Sequence, residues 1–129
     1  METILLLDDD KTSLWVIRAA LEAKGYRVLD ASTDDEAVRI CETREHAIDL
    51  LIADIVLRRS YGTETAGKLN RMFPNLPVLF ISGYPFEDLE ARGVLQASIS
   101  DSRPVYFLQK PFLPHILVAK VREILDPKP

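Results

Sequence analysis

Cysteine is almost absent from this chain: Cys41 is the single thiol among 129 residues. One thiol excludes an internal disulfide framework and any site built from several cysteine ligands. Cys41 falls in a helical stretch and reads as an ordinary packed side chain. Histidine is scarce too, and neither His46 nor His115 has metal-ligand company around it; both read as surface residues. No apolar run approaches the ~18 residues that a membrane span needs. The N-terminus lacks a basic, apolar leader, so no signal peptide and no membrane contact are expected, and the cytoplasm is the expected compartment. There is no basic run. With 16 Lys and Arg against 20 Asp and Glu, net charge −4, nucleic acid is not expected as a partner. Internal repeats, low-complexity segments and breaks in composition are also missing. Residues 1–129 therefore read as one domain with no output domain attached.

What is present is a regular alternation. Hydrophobic residues make up 47% of the chain, enough for a core. Short apolar runs, TILLLD (Thr3–Asp8), YRVLDA (Tyr26–Ala31), IDLLIAD (Ile48–Asp54), LPVLFIS (Leu76–Ser82) and VYFLQK (Val105–Lys110), read as strands. Between them lie amphipathic stretches: Thr12–Lys24 ended by Gly25, a helix opened by Ser32 or Thr33, Gly62–Phe73 stopped by Pro74, Phe86–Leu95, and Pro114–Leu125. Near-continuous apolar strands separated by helices imply a parallel α/β sheet covered on both faces.

In such a sheet the functional groups gather at the carboxyl ends of the strands. The first strand ends in Asp8, Asp9 and Asp10, the third in Asp54, the fourth in Ser82 and the fifth in Lys110, followed by Pro111. Clustered carboxylates raise one another's pKa unless a cation sits among them. A hard divalent ion with oxygen ligands suits them, and Mg²⁺ takes one or two carboxylates together with phosphate oxygens and water. A lysine and a hydroxyl would hold further phosphate oxygens, so the set suits phosphoryl transfer, with a carboxylate as a possible nucleophile.

Two family resemblances compete for these residues. Asp8-Asp9-Asp10-Lys11-Thr12 reads as DxDxT and resembles the haloacid-dehalogenase-like phosphatases, which would make Asp8 the nucleophile and Asp10 the acid/base. That reading leaves Asp54 idle and lacks an acidic motif after Lys110. ILLLDDDK, DLLIAD, VLFISG and FLQKPF, in this order and over about Thr3 to Leu125, resemble the receiver domain of bacterial two-component response regulators. The ISGYPFEDLEARGVL and FLQKPF stretches resemble receivers attached to hybrid sensor kinases.

The receiver resemblance implies a flavodoxin-like, doubly wound, five-stranded parallel sheet of order 2-1-3-4-5. It implies that Asp54 accepts a phosphoryl group from a histidine kinase or a histidine phosphotransfer domain, and that the domain assists its own phosphorylation and dephosphorylation without being an enzyme in the ordinary sense. Asp8, Asp9, Asp54 and the backbone carbonyl of Val56 match the set that holds Mg²⁺ or Mn²⁺. Lys110 and Ser82 match the groups that bind the phosphoryl oxygens. Ser82 and Phe107 match the switch pair, which would change the surface offered to a downstream protein partner. Pro111 matches a residue that is usually cis, and Gly62 the turn glycine before the third helix. Asp10 then serves as a helix cap. Trp15 lies on the helix that helps dock the phosphodonor in the family, and partial packing is expected for it. The chain departs from the family in two places: Arg58 stands where a proline is common, and the stretch from Ser82 to Lys110 is long, so a short or displaced fourth helix is expected. A binding-only, receiver-like module is a third reading.

Overall fold

The computed structural model describes residues 1–43, 48–95 and 106–126. Thr3–Leu7 (β1), Arg27–Ala31 (β2), Leu50–Asp54 (β3), Val78–Ser82 (β4) and Tyr106–Gln109 (β5) form one parallel sheet in the order β2-β1-β3-β4-β5. Lys11–Glu22 (α1), Asp34–Thr43 (α2), Gly62–Met72 (α3), Phe86–Ala91 (α4) and Pro114–Leu125 (α5) lie between and after the strands. This is the flavodoxin-like arrangement that the motif order implies.

Side chains alternate across the sheet and feed two cores. Ile4, Leu6, Leu50, Ile52, Leu79 and Ile81 pack against Ile17 and Leu21 of α1 and Leu117 and Val121 of α5. Leu5, Leu7, Leu51, Ala53 and Phe80 face the other way, against Ala37 and Cys41 of α2, Ala66 and Leu69 of α3 and Leu89 of α4. All five residues of β1 and of β3 are buried, which is why those strands read as unbroken apolar runs. Burying such an aliphatic side chain is worth about 1.5–3 kcal/mol, so these two strands anchor the sheet from which the site projects. Cys41 is buried, and that burial pushes its thiol pKa up.

The structure departs from the sequence expectation for Trp15, agrees with a short fourth helix, and chooses between the two cap candidates of α2. Trp15 is 73% exposed, where partial packing is expected. The buried stripe of α1 is Ile17 and Leu21. Trp15 lies two residues before Ile17, about 200° around the helix, and so faces solvent. The fourth helix stops at Ala91, well before Leu95. Arg92 caps it, and Gly93, at φ +73, turns the chain so that Val94 N–H reaches the Leu89 carbonyl at 3.3 Å. Thr33, between the two candidates, opens α2: its Oγ1 accepts from Glu36 N–H, while the Glu36 carboxylate accepts from the Ser32 N–H. His46, Val105 and the 96–104 stretch lie outside the described residues.

Candidate functional site

Sheet register brings the site together. Leu7 is level with Ala53, so Asp8, one residue on, stands beside Asp54 at the end of β3. Ser82 pairs with Gln109, and the Lys110 N–H donates to the Ser82 carbonyl at 2.7 Å, which places Lys110 next to the same strand ends. The Lys110–Pro111 peptide is cis. The strand order reverses direction of growth between β1 and β3, the place where α/β sheets open a crevice for ligands.

The Lys110 ammonium bridges two carboxylates. Its Nζ donates to Asp8 Oδ2 at 2.8 Å and to Asp54 Oδ2 at 3.0 Å. Asp8 is fully buried, and its other oxygen accepts from Asp10 N–H at 3.0 Å. Asp54 is 8% exposed, and its Oδ1 accepts from Val56 N–H at 3.2 Å. Burial pushes the Asp54 carboxyl up to about 6, and the neighbouring Asp8 charge adds to the rise; the Lys110 and Val56 donors oppose it. Burial by itself would lower the Lys110 pKa, but its bonds to Asp8 and Asp54 raise it above the ordinary lysine value. The site thus holds a lysine whose charged form is favoured beside an acid whose pKa burial pushes up to about 6.

Around this centre the remaining strand-end residues take separate posts. Asp10 accepts from Thr12 N–H at 2.9 Å and Ser13 N–H at 3.5 Å, and caps α1. Asp9 turns away from Lys110, and its Oδ2 accepts from the Arg58 N–H at 2.6 Å. The buried Ser82 hydroxyl accepts from Tyr84 N–H at 3.1 Å. Phe107 is half-buried and stands edge-on to Phe86, with centroids 5.3 Å apart. Gly62 is the first residue of α3, and a Cβ there would collide with the Asp54 carbonyl oxygen. Its role is close approach behind the acid; its N–H donates to the Ile55 carbonyl at 2.7 Å.

Among the described residues, no group of three or more His, Cys, Asp and Glu side chains stands together as a metal-ligand set. The reason is visible in the bonding: Lys110 occupies the space between Asp8 and Asp54, and Asp9 is held by the Arg58 amide. The donors nevertheless suit Mg²⁺. Two buried acids share the single Lys110 ammonium, and their carboxylate oxygens are the hard donors such an ion takes.

The hydrolase reading finds no support in this geometry. Its nucleophile, Asp8, is fully buried beneath Lys110, and its acid/base, Asp10, is engaged as a helix cap. Sequence reasoning missed the Arg58–Asp9 and Tyr84–Ser82 bonds, whose donors are main-chain N–H groups that every residue but proline carries. The Phe86–Phe107 contact left no signal either, since it joins residues far apart in the chain.

The model of the response regulator receiver domain matches residues 4–122. The chain is 32% identical to sensor kinase CckA of Brucella abortus over 125 residues, 96% of this chain and 12% of that protein. It is 30% identical to the phosphate regulon transcriptional regulatory protein PhoB of Pseudomonas aeruginosa over 126 residues, 96% of this chain and 52% of that protein. It thus spans about an eighth of the first relative and about half of the second. Among solved structures, a CheY-like response regulator receiver domain protein from Methanospirillum hungatei JF-1 superposes with a TM-score of 0.80 at 31% identity, covering 98% of this chain and 94% of that one.

Proposed function

Because the chain belongs to the response regulator receiver family, a family of phosphoacceptor signalling domains in two-component systems, we propose that Asp54 is its phosphoacceptor. The observation that carries this assignment is the Lys110 bridge: a half-buried cation held 3.0 Å from Asp54, the more accessible acid of the buried pair. Asp54 attacks the phosphorus of a phosphohistidine on a histidine kinase or a histidine phosphotransfer domain. A carboxylate O–P bond forms and the N–P bond breaks. The imidazole keeps the electron pair and takes a proton from solvent.

This chain's residues position and neutralise. Lys110 donates to a phosphoryl oxygen as negative charge moves onto Asp54. Ser82, whose hydroxyl accepts from Tyr84 N–H, is able at the same time to donate to a second phosphoryl oxygen. Asp8, Asp9, Asp54 and the Val56 carbonyl are the residues that would hold Mg²⁺ (or Mn²⁺), which would supply charge neutralisation at the transferring phosphoryl group. The same groups support loss of the phosphoryl group to water, so the domain assists both directions of its own chemistry. Inward movement of Ser82 gives Phe107 room to turn from Phe86, which changes the α4–β5 surface offered to a protein partner.

The phosphodonor docks over α1, where Trp15 and Val16 are exposed. We read residues 4–122 as one receiver unit that works in the cytoplasm. Among the described residues no helix is long and apolar enough to cross a membrane.

Intact-protein mass after incubation with Mg²⁺ and acetyl phosphate tests the assignment. A single phosphoryl adduct on the wild type and none on Asp54→Asn is the expected result. An adduct that persists on Asp54→Asn removes Asp54 from the role. No adduct on either protein, from acetyl phosphate or from a phosphohistidine donor, favours a module that signals by binding alone.

A further inference from the structure

Asp9 and Arg58 are 49 residues apart, yet the Arg58 N–H donates to Asp9 Oδ2 at 2.6 Å, the short distance of a charge-assisted bond. Arg58 lies in the turn between β3 and α3, closed by a bond of 3.0 Å from Leu57 N–H to the Ser60 carbonyl. Asp9 and Arg58 both line an open cleft of ≈ 620 Å³, together with Leu57, Arg59 and Ser60 of the same turn. Placed this way, Asp9 does not join Asp8 and Asp54 in a ligand set.

We propose that the Arg58 main-chain amide is a latch that competes with a divalent cation for Asp9, so that metal binding and the β3–α3 turn are coupled. This inference rests on the assignment of Asp9 to the metal. With the bond to Arg58 formed, Asp9 ties the acidic loop after β1 to the turn after β3. Metal-bound, Asp9 faces the acidic pair, and the turn loses the bond that holds Arg58. Coupling of this kind is reciprocal: whatever tightens the turn weakens the cation by the same factor. Arg58 is a positioning residue here, and it acts through its backbone. Any residue but proline supplies the donor.

The test uses Mg²⁺ alone, on the whole ¹⁵N-labelled chain followed by NMR, for wild type, Arg58→Ala and Arg58→Pro. Removing a partly exposed bond of this type is expected to tighten Mg²⁺ binding about three- to tenfold in Arg58→Pro. Arg58→Ala keeps the amide and is expected to match the wild type. In the wild type, the Arg58 amide proton is expected to lose its hydrogen-bonded shift and its exchange protection as Mg²⁺ saturates. If Arg58→Pro does not fold, that amide signal decides alone. An Arg58 amide that stays bonded at saturation overturns the latch and leaves the metal assignment standing. Absence of any saturable Mg²⁺ response at Asp8, Asp9, Asp54 and Val56 overturns both.

Discussion

Asp54 meets conflicting influences at a single carboxyl group. Burial and Asp8 raise its pKa, Lys110 and the Val56 amide lower it, and the net value is about 6. An unfolded aspartate titrates near ~3.9. Between those two values the folded chain keeps the proton that the unfolded chain has lost, so stability falls as pH rises across that window, and above it the whole cost is present. Asp54→Asn carries no such cost. In EDTA, the variant is therefore expected to be more stable than the wild type at pH 7, by on the order of 3 kcal/mol, and close to it at pH 4. Urea midpoints at the two pH values check this; an equal difference at both would remove the titration of Asp54 as its cause. Gly62 makes the complementary point on the backbone side, because α3 begins where only a residue without a Cβ clears the Asp54 carbonyl.

At the scale of elements, α1 divides its labour by face and by end. Its first turn is closed by Asp10, its inner face buries Ile17 and Leu21, and its outer face leaves Trp15 73% exposed. A large aromatic with little packing of its own contributes little to folding, but Trp is among the residues that dominate interfaces. Trp15→Ala is expected to leave stability within about 0.5 kcal/mol of the wild type. Phosphotransfer from a phosphohistidine donor is expected to slow about tenfold or more, the loss typical of an interface anchor. Labelling by acetyl phosphate, which needs no docking surface, is expected to be unchanged. Equal loss with both donors would place Trp15 in the fold or the site and not at the donor surface. α4 is the contrasting element: it ends at Arg92 and Gly93, and its first residue, Phe86, braces Phe107 of β5.

Across the whole molecule, Lys110 is a tie. It follows β5, bonds Asp8 after β1 and Asp54 at the end of β3, and its backbone bonds the Ser82 carbonyl of β4. Lys110→Met keeps most of the stem and removes the charge, which leaves two buried carboxylates facing each other. Breaking a buried pair in this way costs on the order of 3 kcal/mol. The sign with pH follows from the acids. Without the cation, Asp54 is driven further above its present value near 6, so the penalty is larger at pH 8 and shrinks toward pH 4, where the folded chain holds the proton. Thermal or urea unfolding at both pH values measures it. A loss that does not vary with pH would mean that packing, and not charge, is what Lys110 provides.

The amino-acid sequence by itself determined the sheet and the posts at its ends. Apolar runs of strand length, separated by 3.6-period stretches, admit few arrangements once both faces must be covered, and four of the five runs end in a reactive polar residue: Asp8, Asp54, Ser82, Lys110. The division among the three consecutive aspartates was legible in part, since a short acid before a helix has N–H groups to accept from, and Asp10 does so. Tertiary structure alone decided the rest. Lys110 meets Asp8 across 102 residues and Asp54 across 56, and Arg58 meets Asp9 across 49. No local pattern encodes contacts at that separation. Where the donor is a main-chain N–H, side-chain identity carries no trace of it. The pKa of Asp54 is likewise a property of the assembled fold, because burial, the Asp8 charge and the Lys110 ammonium act on it only once the strand ends have been brought into register.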